Sequence, residues 1–219
     1  MKIIDDNTKK LHWWNRNYFF AATIVIALVN IILFGALGDR WQWEFDPDST
    51  FYSTLDFSNM IRAFMNSFSH ENWQHVLLNM LCFFLCGLYL ERKMGTLPFF
   101  ALTLVLVFFS MLAIATLSGI FWHGFSGVNF ALYAYIVVDY PFVFRKRNRT
   151  RFNIIAGAVM LALIYFASCF NGGAYTFGFE WYPYDFMTNA GHYGGFAAGL
   201  VVGLVVQLTR LIAEKSSQQ

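Results

Sequence analysis

A chain of 219 residues that is 58% hydrophobic, 20% aromatic and only 13% charged has too little polar surface to cover a water-soluble globule of its size. The fold class that remains is an all-α membrane protein. A formal net charge of +2 provides no basic surface for a polyanionic partner, so no nucleic-acid binding is expected.

Six apolar runs approach the roughly 20 helical residues that cross a hydrocarbon core of about 30 Å, at 18–37, 73–90, 97–118, 125–140, 153–170 and 190–208. They predict six transmembrane helices in one membrane domain, 18–210, between a short N-terminal tail, 1–17, and a C-terminal tail, 211–219. The first run follows Lys2, Lys9, Lys10 and Arg16, as a secretory signal would, but it is long for a signal core and contains Asn30, so a retained span is expected. Asp5 and Asp6 argue against a mitochondrial transit peptide. The second run opens on polar residues, and the fourth is short. Cys82 and Cys86, one turn apart in the second run, suit neither a disulfide nor, without further ligands, a metal. Together with Cys169 in the fifth run they read as apolar filler, and no cofactor is implied.

Charge orients the spans. The basic N-terminus, "ERK" at 91–93, "RKRNRTR" at 145–151 and Lys215 fall on one side, and Asp39, Glu44, Asp46, Asp48, Glu180 and Asp185 on the other. Excess Lys and Arg mark the cytoplasmic face, which places both termini there.

Depth then locates the polar residues inside the spans. Counting up from the cytoplasmic edge at about 1.5 Å per helical residue puts His75 roughly 24 Å and Asn79 roughly 18 Å into a core of about 30 Å. Pro141 disfavours helix at Tyr140, so the fourth span ends near Asp139 and Ser126 stands about 20 Å up. His192 stands about 22 Å up, counted from Gln207, with Asn189 just above it. Two histidines, an asparagine and a serine on three helices thus share one layer, about 6 to 12 Å below the extracytoplasmic face. Polar groups at that depth need partners or water, and ionisable ones there are functional-site candidates. Non-helical backbone at 119–125 is tolerable only around a water-filled cavity. The expectation is a polar site opening to the extracytoplasmic side, around a triplet of Gly124, Ser126 and Asn129.

In "HYGGFAAGLVVG", Gly195, Gly199 and Gly203 recur every four residues, with His192 three residues before the first. A small-residue groove on that face lets helix backbones approach closely, which would bring the His192 ring to Ser126 if the partner is the fourth span. A neutral imidazole beside a serine hydroxyl is the minimum for nucleophilic catalysis. His75 and Asn79, one turn apart, are placed to donate hydrogen bonds to the developing oxyanion, helped by the Ser126 backbone N–H. No third, acidic partner is evident. An α/β-hydrolase elbow is excluded because Val128 stands where its last glycine is required.

Three motifs together, "HENWQHVLLNM" with His70, His75 and Asn79, "GFSG" with Ser126, and "GHYGGFAAG" with His192, Gly195 and Gly199, resemble those of the rhomboid intramembrane serine proteases. The match covers roughly 18–210. The resemblance implies a Ser126–His192 dyad, His75 and Asn79 in the oxyanion hole, and His70, Gly124 and Gly127 ordering the site. It implies a loop at 38–69 lying partly in the outer membrane surface, and gating of substrate entry by the fifth span with the segment 171–188. Arg62 and "ERKMG" at 91–95 also fit family positions. The departures are Phe130 where a tyrosine often stacks on the base, which keeps the ring face without the hydroxyl, and Ile61 where a tryptophan is common. His123 has no family role and reads as a wet loop residue.

The expected function is an endopeptidase that cleaves single-span transmembrane proteins near their extracytoplasmic boundary, in a lipid bilayer for which the compact length favours a bacterial plasma membrane. The sequence sets neither the substrates nor the oligomeric state. Two other classes compete with this expectation. Rhomboid-like pseudoproteases bind membrane clients without cutting them, but characteristically lack the nucleophile or the base. A proton-coupled transporter would also place histidines in the membrane, but needs an inner opening and often inverted repeats, and neither is visible.

Overall fold

The computed structural model describes residues 20–38, 57–117, 124–144, 151–169 and 190–216. They form seven α-helices with no strand among the described residues: α1 (Ala21–Leu37), α2 (Phe57–Asn66), α3 (Trp73–Met94), α4 (Thr96–Leu117), α5 (Ser126–Asp139), α6 (Arg151–Cys169) and α7 (Ala190–Ser216). A short 3₁₀ turn, Tyr140–Phe144, follows α5 where Pro141 ends the α-helix.

Local sequence sets the ends. Asn72 caps α3 by accepting the His75 backbone N–H at 2.8 Å. Gly95, at φ 94°, closes the same helix with its N–H on the Glu91 carbonyl. α1 stops in the same way at Gly38, φ 61°, whose N–H returns to the Phe34 carbonyl. α7 runs to Ser216, past the end of its apolar run at 208. α2 was not expected as a helix. It lies within the segment read as a loop at 38–69.

Among the described residues, α3 and the stretch Gly191–Ser216 of α7 are long and apolar enough to cross a membrane, and Ala21–Leu37, Thr96–Leu112 and Ile154–Leu163 are shorter apolar helices. α5, 14 residues long, lies at the centre of the described residues: Gly127, Val128, Asn129, Ala131, Leu132, Tyr133, Ala134, Tyr135, Ile136 and Asp139 are all buried. Protein covers most of its circumference, although Val137 stays exposed. Around it the outer faces are apolar, with Leu28 and Ile32 of α1, Leu77 and Leu81 of α3, and Leu204 and Leu208 of α7 all exposed. An apolar surface of that extent suits lipid rather than water.

The most extensive helix pair is α5 with α7. Here the packing is backbone on backbone. A Cβ on Gly195 would lie 2.8 Å from the Gly127 carbonyl carbon, and one on Gly199 would lie 2.6 Å from that of Ala131, so no side chain fits at either position.

Two buried carboxylates tie the other end of the bundle. Glu91, fully buried on α3, accepts the Ala22 and Thr23 backbone N–H groups at 3.2 and 3.0 Å and the Thr23 and Thr96 hydroxyls at 2.6 and 2.8 Å. It thereby neutralises the positive N-terminal end of α1. Asp139, at the end of α5, pairs with Lys93 of α3 and with Gln207 and Arg210 of α7, at 2.8 and 3.6 Å for the last two. A charge in this environment needs partners of this kind to be tolerated.

Candidate active site

Three helices begin at the site. Ser126 is the first residue of α5, and His75 and His192 lie in the first turns of α3 and α7. The positive, N-terminal dipole ends of three helices therefore meet at one site, an arrangement that favours a developing negative charge.

His192 Nε2 stands 2.8 Å from Ser126 Oγ. The imidazole is stacked on Phe130, with ring centroids 4.5 Å apart and planes inclined by 17°. That contact fixes the ring plane through the apolar face alone, with no phenolic hydroxyl. The glycine groove under His192 sets how far α7 approaches α5. Gly127 belongs to the same contact, since a Cβ there would lie 3.2 Å from the Gly191 carbonyl oxygen, and its own carbonyl accepts the Ser110 hydroxyl at 3.4 Å.

On the other side of Ser126, the turn entering α5 runs through Gly124 at φ 110°, a conformation that costs a side-chain-bearing residue dearly. A Cβ at Gly124 would meet the His75 ring, 2.9 Å from both Cε1 and Nε2, and would lie 3.6 Å from Asn79 Nδ2. His75 and Asn79 thus line the turn that carries the serine. The turn itself is held by two hydrogen bonds: Gly124 N–H donates to the Asn66 carbonyl at 3.0 Å, and Phe125 N–H to His70 Nε2 at 3.4 Å. His70 is buried and packs edge-on against His75, with centroids 5.1 Å apart.

Such a site can deprotonate the serine hydroxyl, direct the oxygen at a carbonyl, and receive the resulting oxyanion among N–H donors. A family model for the rhomboid domain matches residues 58–208. The chain belongs to the rhomboid family. Its members are integral membrane proteins, generally serine proteases, which act on transmembrane substrates within the bilayer.

In this rhomboid the structure brings together Ser126, His192, His75, Asn79, His70, Gly124, Gly127, Phe130, Gly195 and Gly199 in one region at the N-terminal end of α5. Arg62 lies on α2, while its side chain, His123, Asn189 and the segment 171–188 lie outside the described residues. Two contacts at the site go beyond the sequence motifs. The Asn66 carbonyl acts through backbone and carries no side-chain signal. The pairing of Asn129 with Asn79 had a visible signal, a polar residue three positions after Ser126 on an apolar helix.

Proposed function

We propose that this rhomboid is an intramembrane serine endopeptidase in which Ser126 is the nucleophile and His192 the general base, cutting single-span transmembrane proteins near their extracytoplasmic boundary. The observation that carries this is the 2.8 Å approach of His192 Nε2 to Ser126 Oγ between two helices whose backbones touch. For that bond to serve catalysis the hydroxyl donates and Nε2 accepts, so the neutral imidazole carries its proton on Nδ1.

Ser126 Oγ attacks the substrate carbonyl while Nε2 takes the hydroxyl proton. The carbonyl oxygen becomes an oxyanion facing Asn79 Nδ2, His75 and the Ser126 backbone N–H, within the joint positive field of the three helix starts. Collapse expels the amine, which receives the proton from His192 and leaves an ester on Ser126. Water then repeats the sequence and releases the carboxylate. A substrate helix must unwind locally to offer its carbonyl, which only a protein-lined, wet cavity tolerates.

The same proposal takes α1 and α3 to α7 as six membrane-crossing helices, with α2 lying along the outer surface. It takes the sides rich in Lys and Arg as cytoplasmic, in a bacterial plasma membrane. The test is covalent capture together with cleavage. A fluorophosphonate should label purified wild-type protein and not Ser126→Ala, and wild type alone should cleave a transmembrane substrate in proteoliposomes. Cleavage by well-folded Ser126→Ala would end this mechanism. An inert wild type that still bound the substrate would make the protein a pseudoprotease.

A further inference from the structure

One turn after Ser126, α5 carries a second polar side chain that the serine–histidine chemistry does not use. Asn129 is 3% exposed, and an amide so deeply buried in an apolar bundle is costly unless it is paired. Its Nδ2 lies 3.0 Å from the Asn79 backbone oxygen and 3.0 Å from Asn79 Oδ1. A backbone carbonyl only accepts, so the Asn129 atom facing it is the NH2 group. The Asn79 atom facing that same NH2 is then the acceptor, Oδ1. On the far side of the Asn79 amide, Nδ2 stands 3.1 Å from the His75 backbone oxygen, and again a carbonyl fixes the donor. Two main-chain carbonyls of α3 thus set the polarity of both amides. One Asn79 N–H remains for the side on which Gly124 and the start of α5 lie.

We propose that Asn129 is a positioning residue for the oxyanion donor: it holds Asn79 by Oδ1 and by the backbone, and so keeps the Asn79 NH2 turned toward the carbonyl under attack. This rests on the Ser126–His192 mechanism above. Without Asn129, the Asn79 amide is held within its own helix by the bond to His75, and its terminal torsion is intrinsically broad. A second fixed point on another helix removes that freedom. Ser126 and Asn129 are three residues apart on one helix face, so the helix that presents the hydroxyl also aims the donor.

The experiment is a mutant cycle on kcat. Asn129→Leu removes the donor with the same branching but a larger side chain, and Asn129→Asp keeps both shape and size while putting an acceptor where the donor stood. Each is measured in the wild-type and Asn79→Ala backgrounds on a transmembrane substrate, with a thermal melt for every variant. In the wild-type background kcat should fall about 10-fold or more, with KM little changed, because a transition-state contact is lost. In the Asn79→Ala background the same substitutions should cost nothing further, since the group they position is gone. Equal losses in both backgrounds would mean that Asn129 acts through packing and would overturn the proposal, as would an unchanged kcat in the wild-type background. If Asn129→Leu does not fold, Asn129→Asp decides by the same comparison. The underlying mechanism fails separately, through an inert wild type or an active Ser126→Ala.

Discussion

Replacing Gly195 by alanine tests the geometry that unites the site. The added Cβ would sit 2.8 Å from the Gly127 carbonyl carbon, against a normal carbon–carbon contact of about 3.5 Å, and the obstacle is backbone that cannot rotate away. α7 must therefore retreat from α5 by at least about 0.7 Å, since the Gly127 carbonyl oxygen lies nearer still than the carbon. His192 lies one turn before Gly195, so the displacement acts almost directly on Nε2. It stretches the 2.8 Å contact with Ser126 Oγ to about 3.5 Å, beyond a working hydrogen bond. Misplacement on the order of 1 Å costs roughly 10²-fold in rate, so kcat for a transmembrane substrate should drop about 10- to 100-fold. Overpacking should also cost about 1–3 kcal/mol of stability, read as a lower melting temperature. Gly199→Ala meets the Ala131 backbone just as severely but lies a turn further from His192, so it should lose comparable stability and less activity. Gly203→Ala is the control, because its Cβ would meet the Val138 side chain at 3.1 Å, a contact that a shift of a few tenths of an ångström relieves. Initial rates in proteoliposomes and melts in detergent provide both readouts. A Gly195→Ala protein that melts and cleaves like wild type would refute backbone contact between α5 and α7.

Ser126→Ala, His192→Ala and the double variant should share one residual cleavage rate, because each disables the same step; losses that multiply would show that the two side chains act independently. Asp139→Ala leaves Lys93 at the buried end of α5 without its carboxylate and should cost about 3–5 kcal/mol in thermal or denaturant unfolding, while a variant as stable as wild type would mean that the cluster contributes nothing. Cysteines placed at Asp48 and Asn148 should react with an impermeant thiol reagent from outside intact cells and only after lysis, respectively, and the reverse pattern would invert the membrane orientation.

The site was largely legible because its chemistry contradicts its surroundings. Ser126, His75, Asn79 and His192 are polar residues in apolar runs, and counting helical rise puts them at one depth without any knowledge of packing. Gly195 and Gly199 were legible by spacing. α2 escaped because it was judged by length: Phe57, Met60, Ile61, Phe64 and Met65 carry a helical period, but a ten-residue amphipathic segment fails a search for membrane spans. The carboxylate clusters escaped for a different reason. Glu91 and Asp139 stand at the ends of apolar runs, where sequence suggests solvated boundary charges, and only the packing of α1 and α7 against those ends buries them.

α5 and α7 are fastened to each other twice, by touching backbone near Ser126 and by Gln207 and Arg210 on Asp139 at the far end. Two rods pinned near both ends pivot as one body. When a bilayer thickens or thins and helices tilt to match it, the serine and the histidine tilt together and their separation is insulated from the strain. On the proposed mechanism the remaining helices would accommodate the membrane and its proteins, and lipid composition is expected to act on how a substrate arrives rather than on how the hydroxyl meets the imidazole.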